Sequence, residues 1–288
     1  MTHRRIGLIT DSTCDVPDNL LKQYDVAVVP SIVVWGNDKL RDRVDIQPQE
    51  FYKRLTSDPV HPTTAHPSPG DFLRAYEEAE KQGAQEIVVI TVSVAMSGTF
   101  QSAWDAGKMF HLPVHVVDSK GPTMTVGWQV LAAARAREAG GSAQAMIEAA
   151  GRTRATLVQY VCLDTMEYLH RGGRIGGAVT LLSTVLKIKP LVRINHETGL
   201  VEGAARVRTR KRALELLYDT FFQQLDTRKA LRVAVLHGDV PQDAERIAER
   251  IQREYSPAEL LMNITGPVLG IHTGPRAVAL CGYAEDES

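Results

Sequence analysis

Several residues in this sequence have the types and settings needed to meet an anion. Ser97-Gly98-Thr99 stands just before a segment with helical periodicity, so its free amides and the serine hydroxyl would point at whatever lies above the preceding strand. A helix N-terminus with nearby hydroxyls holds a small anion without a formal positive charge. Thr64 supplies a second hydroxyl if its segment, stiffened by Pro59, Pro62, Pro67 and Pro69, folds over a sheet edge. His272 lies in "GIHTGP", between glycines that let backbone approach a ligand closely. Arg174 follows Gly172-Gly173, and Arg206, Arg208 and Arg210 would face alternately along an extended segment. Each has a plainer reading beside the functional one. Ser97 serves equally as a helix cap, His272 as a satisfied core or surface group, and the arginines as a solvated face.

The motifs that would make the chain a self-sufficient catalyst are absent from the sequence. There is no P-loop, no G-x-G-x-x-G opening a helix, no G-x-S-x-G elbow and no pair of histidines at metal-binding spacing. Donors for an anion beside apolar surface, with no obvious nucleophile and base, favour a binder over an enzyme. A stand-alone enzyme acting on a small carboxylated or phosphorylated ligand, and a regulatory sensor of the same ligand, remain as alternatives.

Elements must position these groups. "IGLITDST" reads as a buried strand emptying into a hydroxyl-rich loop, followed by a helix over 17–24 and the strand "VAVVPSIVVW". A short helix over 51–55 and the proline-rich loop come next. Then follow a helix over 70–82, the strand "EIVVITVS", a helix over 100–109 and the strand "VHVVDSK". Alternating strands and helices indicate a parallel sheet, where ligands sit beyond the carboxyl ends of strands. Three such ends carry "TDST", "SVAMSGT" and "VDSK".

Helices over 123–138 and 143–152 lead to the strand "LVQYVCL". Asp164 with Glu167 reads as a capping box for a short helix that Gly172-Gly173 ends. A further helix is expected over 176–187, with Ala178, Leu181, Leu182, Val185 and Leu186 forming one apolar stripe that either lines a ligand tunnel or packs on the sheet. Strands over 191–194 and 200–207 flank the turn "HETG". A helix over 211–225, the half-buried strand "LRVAVLHG", a helix opened by Asp239 and Pro241, and a strand-like end punctuated by two Gly-Pro pairs complete the chain.

The 288 residues suit two domains. A net charge of -1 indicates neither a nucleic-acid footprint nor a polybasic membrane patch. Cys14, Cys162 and Cys281 are too far apart in sequence to suggest a metal clamp or redox pair, which points to a reducing, cytoplasmic setting. No apolar stretch reaches membrane-span length, and the N-terminal apolar run is too short for a signal peptide.

Eight blocks carry a resemblance: "TDSTCDVP", "TTAHPSPGDF", "MSGTFQSA", "VVDSK", "DTMEYLHRGGRIGGA", "IKPLVRI", "VRTRKRAL" and "GPVLGIHTGP". In this order they resemble the signature blocks of DegV family fatty-acid-binding proteins across nearly the whole chain. The resemblance implies an α/β fold: an N-terminal parallel-sheet α/β/α domain over 1–155 and a mixed-sheet α/β domain over 156–288, with a long-chain fatty acid between them. It implies a lipid-carrying subunit of bacterial fatty acid kinase, presenting the acid to a separate ATP-binding kinase subunit that makes acyl phosphate for phospholipid synthesis. No cofactor, nucleic-acid partner or stable membrane insertion is implied. By motif position Thr64, Ser97 and Gly98 would bind the carboxylate, His272 and Arg208 would assist head-group binding and phosphotransfer, and Arg174 matches the family's Gly-Gly-Arg turn. Ala65 and His66 depart from the usual Ser and Gln, Val94-Ala95-Met96 replaces a more polar stretch, and Arg276 replaces a frequent glycine.

Overall fold

A run of β-branched and aliphatic residues, Ile6–Asp11, forms the first strand, β1, and the chain then builds a parallel sheet around it. The computed structural model describes residues 5–181 and 188–285. Helix α1 (Asp18–Gln23) follows β1, and β2 (Val26–Val29) returns beside it. Pro30 then breaks the run in which one strand was expected. Proline lacks the amide a central strand needs, so the chain leaves the sheet and β3 (Ile32–Trp35) enters a second one. β4 (Asp38–Arg41), α2 (Pro48–Ser57) and β5 (Thr63–Ala65) complete that small antiparallel unit. The proline-rich segment therefore holds a short strand where only a loop was expected, at its two β-branched threonines.

The parallel sheet resumes after α3 (Pro69–Lys81), with β6 (Glu86–Thr91), α4 (Thr99–Met109) and β7 (Val114–Asp118). Its strand order is β2-β1-β6-β7. Two helices, α5 (Met124–Glu138) and α6 (Ala143–Thr156), then precede β8 (Val158–Cys162). The short helix α7 (Glu167–Arg171) has Met166 at its N-cap without a side-chain cap, and the Thr165 hydroxyl just before it accepts the Glu167 N–H at 3.2 Å. The expected Asp164 box does not form, because Asp164 is held by Lys189 Nζ at 2.7 Å. Of the helix expected over 176–187, a 3-10 turn at Gly176–Leu181 is present with Ala178 in the core, and residues 182–187 lie outside the described residues.

The hairpin β9 (Lys189–Asn195) and β10 (Leu200–Val207), α8 (Arg210–Phe222), β11 (Leu231–His237), α9 (Pro241–Tyr255) and β12 (Glu259–Ile264) follow. Helix α9 is flanked by Val240, not by an Asp239 cap. The end is not continuous strand: α10 (Pro267–Thr273) precedes β13 (Val278–Ala284). Pro267 in its first turn and Gly274 after its last, at φ +72, are the residues that start and stop a helix. The mixed sheet runs β10-β9-β8-β13-β11-β12. β11 pairs on both edges and is covered on both faces, so every residue but Arg232 is buried where alternation had suggested half-burial. The α/β class expected, a parallel sheet joined to a mixed one, is the fold present.

Packing explains how the sheets are joined. α3 and α4 cover the outer face of the parallel sheet, and α8 and α9 the outer face of the mixed sheet. The inner faces share one core with α5, whose Met124, Trp128 and Leu131 are buried beside Leu8 and Val88 of one sheet and Val161 and Ala279 of the other. A helix buried on every side needs close backbone approach, and Gly127 provides it: a Cβ there would lie 2.6 Å from the Cys14 carbonyl oxygen. Gly127→Ala is accordingly expected to destabilise the protein by about 1–3 kcal/mol, read by urea denaturation, whereas overpacking relieved at no measurable loss would refute this account of the junction.

Candidate functional site

A cavity opens between the parallel and mixed sheets beside the start of α5. Its floor is the inner face of the mixed sheet. β8 contributes Val161 and Leu163 follows its end, β9 contributes Val192 and Ile194, and β13 contributes Ala279 with Ala277 just before it. Alternate residues of a strand share a face, so this apolar floor follows from strand periodicity. Val92 and Met96, beyond β6, close it from the parallel-sheet side.

Four polar side chains gather at the mouth. Thr64 stands on β5, Ser97 just before α4, His272 on α10 and Arg174 after α7, and all four line the same cavity. Thr64 Oγ1 lies 3.4 Å from His272 Nε2. Ser97 Oγ accepts the Thr99 N–H at 3.3 Å and pairs with the Thr99 hydroxyl at 2.8 Å, so its capping and pocket-lining positions coexist. Gly98 stands at the helix start with His66 against it, since a Cβ there would meet the imidazole at 2.9 Å. Arg174 donates through Nε to the Met96 carbonyl at 3.2 Å, joining the turn after α7 to the loop before α4. Arg208 is exposed after β10 and does not line the cavity.

His272 is the most constrained of these groups. Gly172 lets the ring in, because a Cβ at 172 would fall 2.1 Å from its Nδ1. Helix α10 itself is seated by the small sheet and α2: Gly270 approaches the Phe51 ring so closely that a Cβ would sit at 2.5 Å. Burial first, then the charges of Arg174 and His61, push the imidazole down to about 4, so it is neutral near pH 7. A neutral histidine beside two hydroxyls and a guanidinium can orient an anion while leaving most of the charge balance to Arg174.

Of the three hydroxyl-rich loops, "TDST" is mostly spent on itself. Thr13 donates to Asp11 at 2.5 Å and Ser12 to Asp42 at 2.7 Å, although Thr13 also borders the cavity. The Asp118 side chain of "VDSK" accepts the Val94 and Lys120 amides. Only "SVAMSGT" brings a hydroxyl to the mouth cluster. His66 and Gln159 line the cavity without having been singled out as site residues. Each occupies a strand or loop position whose outlook depends on long-range pairing, a signal absent from local spacing. Among the described residues no group of three or more His, Cys, Asp or Glu side chains is arranged to hold a metal ion. No described helix is long and apolar enough to cross a membrane.

An apolar floor with Thr64, Ser97, Arg174 and His272 together at one end is a shape suited to an elongated amphipathic ligand. The profile described as "Uncharacterised protein, DegV family" matches residues 5–285, and the chain belongs to that family. It is 34% identical over 274 residues to a DegV domain-containing protein of Streptomyces coelicolor, covering 94% of this chain and 96% of that one. Its structure is similar to that of a DegV family protein from Thermus thermophilus described for fatty acid binding. The two share 34% identity at a TM-score of 0.91, over 98% of this chain and 100% of that one. It is also similar to a stearic acid-binding protein from Eubacterium ventriosum, at 25% identity and a TM-score of 0.88, over 98% of each chain.

A pH dependence follows from the buried imidazoles. His196 is likewise held down to about 4, chiefly by burial. Unfolded, both return to the ordinary value near 6.5, so between pH 6.5 and 4 the unfolded chain binds more protons. Stability contributed by these two groups is therefore present above pH 6.5 and is lost as pH falls toward 4. Urea denaturation at several pH values is expected to show that decline, and His272→Gln to flatten it; an unchanged slope in the variant would mean the imidazole is not held neutral.

Proposed function

We propose that this protein carries a long-chain fatty acid and presents its carboxylate to a separate ATP-dependent kinase subunit. The observation that carries this reading is the polarity of the cavity: Thr64, Ser97, Arg174 and His272 at one end and aliphatic side chains behind them. Family membership and the fatty-acid-binding relatives support it.

The physics divides the ligand in two. Burial yields about 0.8 kcal/mol per methylene, so a palmitate-like tail of about fifteen methylenes contributes on the order of 10 kcal/mol before ordering costs. The carboxylate adds little net affinity, since it must leave water, but it demands donors at a fixed place. The tail thus holds the ligand and the head sets its orientation.

In the proposed reaction a carboxylate oxygen attacks the γ-phosphorus of ATP held by the partner. A new P–O bond forms, the bond from that phosphorus to the β,γ-bridging oxygen breaks, and ADP leaves with acyl phosphate as product, destined for phospholipid synthesis. Such a transfer calls for positioning and charge stabilisation, with no covalent nucleophile from the protein. His272 orients the carboxylate, and the exposed Arg208 is free to meet the partner's phosphates.

Denaturing extraction followed by mass spectrometry is expected to release a long-chain acid from the purified chain; a folded protein with no fatty-acid affinity would sink the proposal. Ser97→Ala with Thr64→Ala is expected to weaken retention by roughly tenfold or more per hydroxyl, on the scale of hydrogen bonds to a charged group. Arg208→Ala is expected to leave the acid bound yet slow acyl phosphate formation by on the order of 10²-fold with the kinase subunit present. Turnover equal to wild type would remove Arg208 from the mechanism.

A further inference from the structure

The apolar floor changes character at one row of the mixed sheet. Following the same alternation that presents Leu163 and Val161, β8 next presents Gln159, which lines the cavity and is 2% exposed. Cys281 stands directly opposite it on β13, as Ala279 stands opposite Val161. His196, two residues beyond Ile194, closes the third side, and Thr125 in the first turn of α5 covers them. Thr125 Oγ1 bonds the Gln159 amide, lies 3.0 Å from His196 Nε2 and 3.9 Å from Cys281 Sγ.

This polar group sits at the other end of the floor from the mouth. Val278 pairs with Cys162, so α10 and His272 hang from the Leu163 end of β8, as does α7 with Arg174 beyond it. Leu163 and Gln159 are four residue steps apart, about 13 Å along the sheet. The network is incomplete: Gln159 Nε2 is buried with no hydrogen-bond partner among the described residues. An orphaned amide is costly in an apolar surround, and a purely aliphatic chain end would leave it so.

We infer that the inner end of this cavity is built for a hydrogen-bonding substituent on the acyl chain, and that the preferred ligand class is a long-chain acid bearing a hydroxyl on its distal half, recognised by Gln159. This deepens the fatty-acid reading and rests on it. A hydroxyl suits the site in particular because it both donates and accepts, so it completes the amide in either orientation that the Thr125 hydroxyl permits. A carbonyl or an ether would satisfy only one.

The test compares affinities of the full chain for stearic acid and for its mid-chain and terminal monohydroxy derivatives, by competition with a fluorescent fatty acid. At least one hydroxylated isomer is expected to bind about 3- to 10-fold more tightly than stearic acid, the range of one net hydrogen bond. Gln159→Leu is expected to reverse that order, binding stearic acid more tightly than wild type does. Stearic acid bound as tightly as every hydroxylated isomer by wild type overturns the inference and leaves the carrier reading standing, as does an unchanged preference in the folded variant. Binding of none of them would instead overturn the carrier reading, and the inference with it. Should Gln159→Leu fail to fold, the wild-type comparison decides alone.

Discussion

The buried ion pair between Asp15 and Arg43 is the contact on which the placement of the site depends. Asp15 Oδ1 accepts Arg43 Nη2 at 2.7 Å and the Gly266 amide at 2.9 Å, and Arg43 Nη2 also reaches the Ile264 carbonyl at 2.8 Å. One carboxylate thereby ties the loop after β1, the loop after β4 and the start of α10. Burial drives the Asp15 carboxyl upward and Arg43 opposes it, so the pair is stable only while both partners stay. Removing one partner of such a pair typically costs about 3–5 kcal/mol, because the other is left as an uncompensated charge. Here the loss would fall on α10, the helix that carries His272.

From that anchor the division of the cavity follows. The inner core fixes the two sheets against α5 with mainly apolar side chains, and the same apolar sheet faces, continued past the helix end, become the floor of the cavity. No separate set of residues had to be assembled to make it apolar. The mouth is different in kind. It gathers Thr64 from the small sheet, Ser97 from the parallel sheet, and Arg174 and His272 from the mixed-sheet half, so its geometry exists only when all three sheets are in place.

Periodicity made most elements legible, including the alternation that presents Val161 and Leu163 together. The mouth residues Thr64, Ser97, Arg174 and His272 were legible from hydroxyl, glycine and arginine placement. What failed were competitions that local pattern cannot settle. Pro30 decided between one strand and two, Lys189 took Asp164 from its expected cap, and β-branched pairing drew Thr63–Ala65 into the small sheet. The ending "GPVLGIHTGP" already contained a helix start and stop, yet its brevity and valine–leucine content read as strand. Arg276, standing where a glycine is frequent, has φ +64, which gives the physical reason a glycine suits that position. Gln159 could not be singled out, since its isolation depends on Cys281 and His196 arriving from distant strands.

The contacts holding the cavity closed are not of equal strength. Asp15 is fully enclosed, and the hairpin turn at Gly199 docks with its carbonyl on the buried Ser93 hydroxyl at 2.9 Å. At the mouth, one link between halves is the exposed Arg174 guanidinium on the Met96 carbonyl, in water that competes for both groups. Exposed polar links are worth a fraction of buried ones, and their local opening free energy is correspondingly small. On the proposed reading the carboxylate lies behind this solvated contact, and it can be exposed by a local opening that leaves the buried contacts of the core intact.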